Sequence, residues 1–265
     1  MQQINQKRHQ STMWGNTSMK LTLKALGLAI AASASTLAFA DAPSSPHSIS
    51  GNIGVYSSYI LRGNTTGPEN TEATLQGGLD YSHSSGFYAG WWTSTLGTDT
   101  YGTANPMEND FYAGYNGTIN DDTGFTVGAT YYYYYDVDTS QYDGFELLLG
   151  LNHKDFGVTA QTLLEDTGWG NAGDTYLKAT YSYGLPNDFS LDTALGLYYY
   201  SDSGKYEGNY WDTSEDFGFR HFDIGLSKAL GETGVTASMN YIIGGYDRED
   251  TKHKNKVVLG LAYSF

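Results

Sequence analysis

Gly168-Trp169-Gly170-Asn171-Ala172-Gly173 has the Gly-x-Gly-x-x-Gly spacing that lets backbone amides approach a dinucleotide pyrophosphate. That chemistry needs a strand before the glycines and a helix after them. Here another alternating segment follows, so the run reads as a loop. Asp136-Val137-Asp138-Thr139-Ser140 opens like a calcium loop. Its sixth position is Gln141, where glycine makes the turn, and its twelfth is Leu147, where a bidentate glutamate belongs. The six histidines, His9, His47, His83, His153, His221 and His253, show no pairing at metal-ligand spacing, and the chain has no cysteine. A catalytic serine would need a positioned histidine and an acid. His221 has Asp223 two residues on, but no serine is paired with it by the pattern. No catalytic group, metal or cofactor is therefore expected. Tyr131 to Tyr135 are five consecutive tyrosines. Tyr132 and Tyr134 could stack on a sugar, although an aromatic girdle with interior packing accounts for the run more simply.

The remaining candidates act through charge. Arg62, Asp80, Asp110, Glu146, Lys178, Asp192 and Asp223 fall on the polar side of segments that alternate apolar and polar residues. A basic side chain facing lipid would cost about 2–4 kcal/mol at the midplane, so period-two parity assigns these residues to an interior. They are the expected pore-lining set. Arg62, Asp110, Glu146, Lys178 and Asp223 lie toward one end of their segments, where they could form a single mixed-charge constriction.

Twelve segments position them: Ser48–Leu61, Thr74–Ser82, Phe87–Leu96, Met107–Asn116, Gly124–Tyr135, Gly144–Asn152, Phe156–Leu164, Thr175–Tyr183, Phe189–Tyr200, Arg220–Ala229, Val235–Gly244 and Val257–Phe265. In the first, Ile49, Ile53, Val55, Tyr59 and Leu61 share one face, with Asn52 and Ser58 on the other. In the last, Val257, Leu259, Leu261, Tyr263 and Phe265 share one face. The connections alternate. Short turns fall near 83–86, 117–123, 153–155, 184–188 and 230–234. Long loops fall near 63–73, 97–106, 136–143, 165–174, 201–219 and 245–256. An even number of strands with this loop parity and an aromatic C-terminus predicts an all-β fold: a 12-stranded antiparallel transmembrane β-barrel with short periplasmic turns and long extracellular loops.

Composition agrees. Mean hydropathy is negative, as expected where half of each strand faces a polar lumen. The 24 tyrosines suit a membrane–water boundary. Lys20 and Lys24, the apolar run 25–37 and Ala38-Phe39-Ala40 read as a signal peptide over residues 1–40, with 1–18 as a possible upstream extension before Met19. A single barrel domain is expected over 41–265. That mature span holds 10 basic and 29 acidic side chains, which argues against nucleic acid as a partner. By the limits above, the long loops hold 17 acids and five bases.

Ser50 to Gly63, with its Ser-x-Tyr-x-x-Arg-Gly ending, resembles the opening of the TorF-type porins, also called the Gcw_chp family. So do Leu75-Gln76-Gly77-Gly78-Leu79-Asp80-Tyr81-Ser82, Ser85-Gly86-Phe87-Tyr88-Ala89-Gly90-Trp91-Trp92 and Asp110-Phe111-Tyr112-Ala113-Gly114-Tyr115. The resemblance implies a bacterial outer-membrane porin. The expectation is passive diffusion of small polar or cationic solutes, without enzymatic activity. Outer-membrane lipid and lipopolysaccharide are the expected surroundings. The alternative is a plugged structural barrel that binds lipopolysaccharide or another partner through its acidic loops.

Overall fold

A computed structural model of the chain describes residues 45–67, 70–97, 100–137 and 140–265. The signal-peptide expectation for residues 1–40 lies outside these, as do Asp138 and Thr139 of the calcium-like run.

The strands are β1 (His47–Tyr56), β2 (Thr74–His83), β3 (Phe87–Thr95), β4 (Met107–Asn120), β5 (Thr123–Tyr135) and β6 (Gly144–His153). They continue as β7 (Phe156–Leu163), β8 (Thr175–Leu185), β9 (Phe189–Tyr199), β10 (Phe217–Ala229), β11 (Val235–Gly244) and β12 (Lys256–Ser264). Each pairs antiparallel with its neighbours in sequence, and β12 pairs with β1 from Asn52↔Ser264 to Tyr56↔Gly260, which closes the barrel. Closure removes both sheet edges, so the wall's backbone groups are paired within the protein and can lie in lipid.

The period-two pattern becomes a two-faced wall. Ile53, Val55, Leu75, Leu79, Phe111, Val127, Leu149, Leu151, Leu259 and Leu261 are exposed on the outside. Fully burying one such side chain is worth about 1.5–3 kcal/mol, so an apolar exterior of this kind is stable in a bilayer and not in water. Among the consecutive tyrosines, Tyr131, Tyr133 and Tyr135 are exposed, while Tyr132 and Tyr134 are buried inside. Short turns sit at one end of the barrel and long loops at the other, in the expected order.

Several boundaries differ from the sequence reading. β4 reaches Asn120, so its turn to β5 is tighter than expected. β10 starts at Phe217 and carries a bulge between Phe219 and His221. The extra residue is Arg220, and it resets the parity so that Phe219 faces out and His221 faces in. The largest difference is in β1. The strand stops at Tyr56 although alternation continues to Leu61. The chain then leaves the wall and turns inward, where Tyr59 and Ile60 are buried and Leu61 packs against a cluster that includes Tyr132 and Tyr134. Tyr59 and Leu61 are therefore interior residues, contrary to the outward assignment. The buried Ser58 hydroxyl donates to the Asn70 carbonyl (2.7 Å), and the Asn70 amide donates back to the Tyr59 carbonyl. These bonds satisfy backbone groups that the abandoned strand pairing would have used.

Candidate functional site

Residues 57–67, in the connection from β1 to β2, cross the barrel interior, and Arg62 is at the tip of the crossing. Arg62 and Gly63 both adopt positive φ (49° and 70°). A Cβ at residue 63 would collide with the His221 ring, so glycine lets the tip approach the β10 wall. Arg220 fixes the tip from the same side, its Nε donating to the Arg62 carbonyl (2.9 Å).

The Arg62 guanidinium reaches the opposite wall. Its two terminal nitrogens donate to the two oxygens of Glu146 on β6 (2.7 and 2.5 Å). They also donate to the hydroxyls of Tyr198 on β9 (3.1 Å) and Tyr132 on β5 (3.2 Å). Tyr132 donates in turn to Glu146 (2.7 Å). The guanidinium carbon lies 5.0 Å from the Tyr176 ring centre and 6.0 Å from that of Tyr198. Glu146 is 1% exposed, so this is a buried, two-pronged ion pair in an aromatic frame. A second tie runs from the Tyr59 hydroxyl to Glu108 on β4 (2.5 Å).

Of the seven residues expected to line a pore, five surround this crossing. Arg62 and Glu146 are in direct contact. Asp110, two residues from Glu108 on β4 and also 1% exposed, is within electrostatic reach of both. Lys178 is within electrostatic reach of Arg62 and Asp223. Asp223 accepts from His221 Nδ1 (2.8 Å), and the other His221 nitrogen meets the Tyr176 hydroxyl (2.6 Å). The remaining two stand apart. Asp80 accepts from the Tyr112 hydroxyl on β4, and Asp192 accepts from Ser182 (2.6 Å) near the short-turn end.

Four further participants were not among the seven. Glu108 has the inward parity of Asp110 and was legible by the same rule. Tyr176 and Tyr198 are also on inward positions, but many barrel tyrosines are. Arg220 had no signal, because its orientation depends on a bulge. The tyrosine pair considered for sugar stacking, Tyr132 and Tyr134, packs with Tyr59 in one cluster, so the crossing segment covers it.

The long-loop rim is tied by Arg248. It donates to Asp174 and to the Thr213 hydroxyl (3.2 Å), and its guanidinium carbon lies 5.0 Å from the ring centres of both Tyr200 and Trp211. One side chain thereby joins the connections 164–174, 200–216 and 245–255. Burial raises the Asp174 carboxyl above the usual carboxylate range, although the Arg248 charge opposes the shift. Gly168 to Gly173 belongs to this rim as a loop, with Asn171 buried and bonded to Ser201 and Glu207. Beneath it, His253 is 3% exposed, its Nδ1 3.2 Å from the Thr66 hydroxyl. Burial, then the Arg220 charge, pushes its pKa down to about 4.

A closed twelve-stranded wall, apolar outside and charged within, defines a transmembrane β-barrel protein. The chain belongs to the Gcw_chp family, described as a bacterial protein of unknown function, whose model matches residues 40–263. Among solved structures, the KdgM porin is 10% identical, with a TM-score of 0.52 over 82% of this chain and 99% of that one. The KdgM porin in complex with disordered oligogalacturonate is 11% identical, with a TM-score of 0.50 over 82% of this chain and 98% of that one. The NanC porin is 13% identical, with a TM-score of 0.48 over 82% and 99%. The two KdgM similarities establish a shared fold. No curated protein matches the sequence.

Proposed function

We propose that the protein is a narrow channel of the bacterial outer membrane through which small polar or cationic solutes diffuse passively. The observation that carries this reading is the charged crossing of the lumen by Arg62. Barrels of eight strands are filled by side chains and those of sixteen or more leave wide pores. Twelve strands leave a lumen that one inward loop can reduce to a selective constriction. Charges in such a constriction, bounded by a low-dielectric wall, filter what enters.

The sign of the charge supports cations. Interior acids are Asp80, Glu108, Asp110, Glu146, Asp192 and Asp223; interior bases are Arg62, Lys178, Arg220 and Lys256. The acidic loops make the entrance negative as well. Oligogalacturonate, carried by one KdgM complex, is an acidic chain, and this interior is poorly suited to it. In this reading residues 1–40 direct export, the long loops face outward among lipopolysaccharide, and the protein performs no covalent chemistry. Among the described residues, His221 is engaged by Tyr176 and Asp223, one on each ring nitrogen.

Purified protein in a planar bilayer tests the reading. Small discrete current steps are expected from the wild type, and larger ones after residues 58–70 are replaced by a short Gly-Ser linker. Silence from both folded barrels would favour a plugged structural role and overturn the channel.

A further inference from the structure

The wall around Arg62 has the composition of a guanidinium receptor. Glu146 offers two oxygens to two nitrogens, Tyr132 and Tyr198 offer hydroxyl oxygens, and Tyr176 lays a ring face near the planar cation. All four belong to strands of the closed sheet. The occupant belongs to a connecting segment whose base is anchored separately. Asn70 is held by Ser58 and Lys256, and Thr65 donates to the Lys254 carbonyl (2.7 Å). The Arg62 side chain could therefore leave the receptor while the backbone of the segment, held at Arg62 by Arg220, stays in place.

The receptor also holds more carboxyl groups than its one guanidinium can pair. Asp110 is buried beside it, and neither carboxylate oxygen has a hydrogen-bond donor directed at it. Its neighbour Glu108 could donate only by holding a proton. A buried carboxylate without a donor costs stability. Residues that break a local rule in this way are expected where function uses them.

We propose that this receptor recognises the guanidinium group of a permeating solute, with Asp110 as its second carboxylate, and that Arg62 is an internal ligand which the solute displaces. The proposal rests on the channel reading and names its solute class. Displacement transfers Glu146 and the two tyrosine hydroxyls from Arg62 to the solute, and the freed Arg62 side chain opens the constriction. Selection of guanidinium over ammonium follows from geometry: a planar fork matches Glu146 in two-pronged fashion and stacks on tyrosine, whereas an ammonium is a point charge. Asp110 draws the incoming cation in before Arg62 has left.

Calorimetric titration of the whole folded barrel in detergent tests binding, using arginine amide, lysine amide and the neutral urea analogue citrulline amide. Tryptophan fluorescence reports the tip, since Trp92 lies 6.2 Å from Tyr59 and Trp169 5.5 Å from Tyr132, ring centre to ring centre. Arginine amide should bind saturably with a fluorescence change, lysine amide about tenfold more weakly or worse, and citrulline amide not at all. Asp110→Asn should weaken arginine amide about tenfold or more. This variant removes a charge that has no donor, so it should keep the heat-modifiable folded form. Equal binding of the two cations, or wild-type affinity in Asp110→Asn, overturns the site. Binding without a fluorescence change overturns displacement. Because binding is measured without current, a silent barrel that still binds arginine amide would sink the channel reading alone, and a conducting barrel that does not bind it would sink this inference alone.

Discussion

Arg62 and Glu146 are a pair whose separate loss and joint loss should differ. Both are buried, and each satisfies the other's charge. Removing one partner of a buried pair leaves an uncompensated charge, a cost of about 3–5 kcal/mol, whereas replacing both with apolar residues of similar size is often close to neutral. Glu146→Leu should therefore lower the urea midpoint of the folded barrel strongly, and Arg62→Met with Glu146→Leu should recover most of the loss. Equal destabilisation by the single and double variants would show that the pair does not hold the crossing. Glu146 and Asp110 stand on inward strand positions, as parity predicts, whereas Arg62 is inside because its segment leaves the wall after β1. What parity could not convey was contact. Arg62 is just past a strand whose alternation runs on through Tyr59 and Leu61, and nothing in that pattern marks the inward turn at Ser57. The cause is cooperative. Ser58, Tyr59 and Asn70 bond to one another, and these partners are separated in the sequence by the very segment whose path they determine.

Strands were the most legible elements because lipid outside and a polar lumen inside impose the same period on all twelve. Closure is the property that single strands cannot show, and it depends on the β1–β12 seam. Phe265 extends that seam beyond β12: its amide donates to the Gly51 carbonyl (3.0 Å) and its carbonyl accepts from the Gly51 amide (2.9 Å). Its ring lies over Gly51, where an added Cβ would stand 2.6 Å from the ring carbon Cζ. Without Phe265 the Gly51 amide and carbonyl lose their partners on the β12 side, each costing free energy that lipid cannot return. Deleting Phe265 should reduce the heat-modifiable form recovered from outer membranes, and Gly51→Leu, which evicts the ring while keeping the residue, should do so less severely. Normal recovery of the deletion would show that the five pairs from Asn52 to Tyr56 close the barrel unaided.

At the scale of the whole molecule, charge is distributed by height and by side. Among the described residues, the long loops bring 14 acids against four bases to one mouth. Below them, Glu108, Asp110 and Glu146 form an acidic wall on β4 and β6, while Lys178 on β8 and Arg220 on β10 stand across the crossing. On the proposed channel reading, a solute meets a negative entrance, then a transverse step from negative to positive at Arg62. The acids nearest the crossing outnumber Arg62, and a low-dielectric wall concentrates their field, so the wild-type channel should prefer cations. Asp110→Asn with Glu146→Gln removes two of these carboxylates and leaves Arg62 without its paired charge. In a potassium chloride gradient the reversal potential should then move toward the anion side, and it should move less at high salt, where screening shortens the reach of the loop charges to a few ångströms. A wild-type channel that is already anion-selective would mean that Arg62, Arg220 and Lys178 dominate the permeation path and that the acidic wall lies outside it.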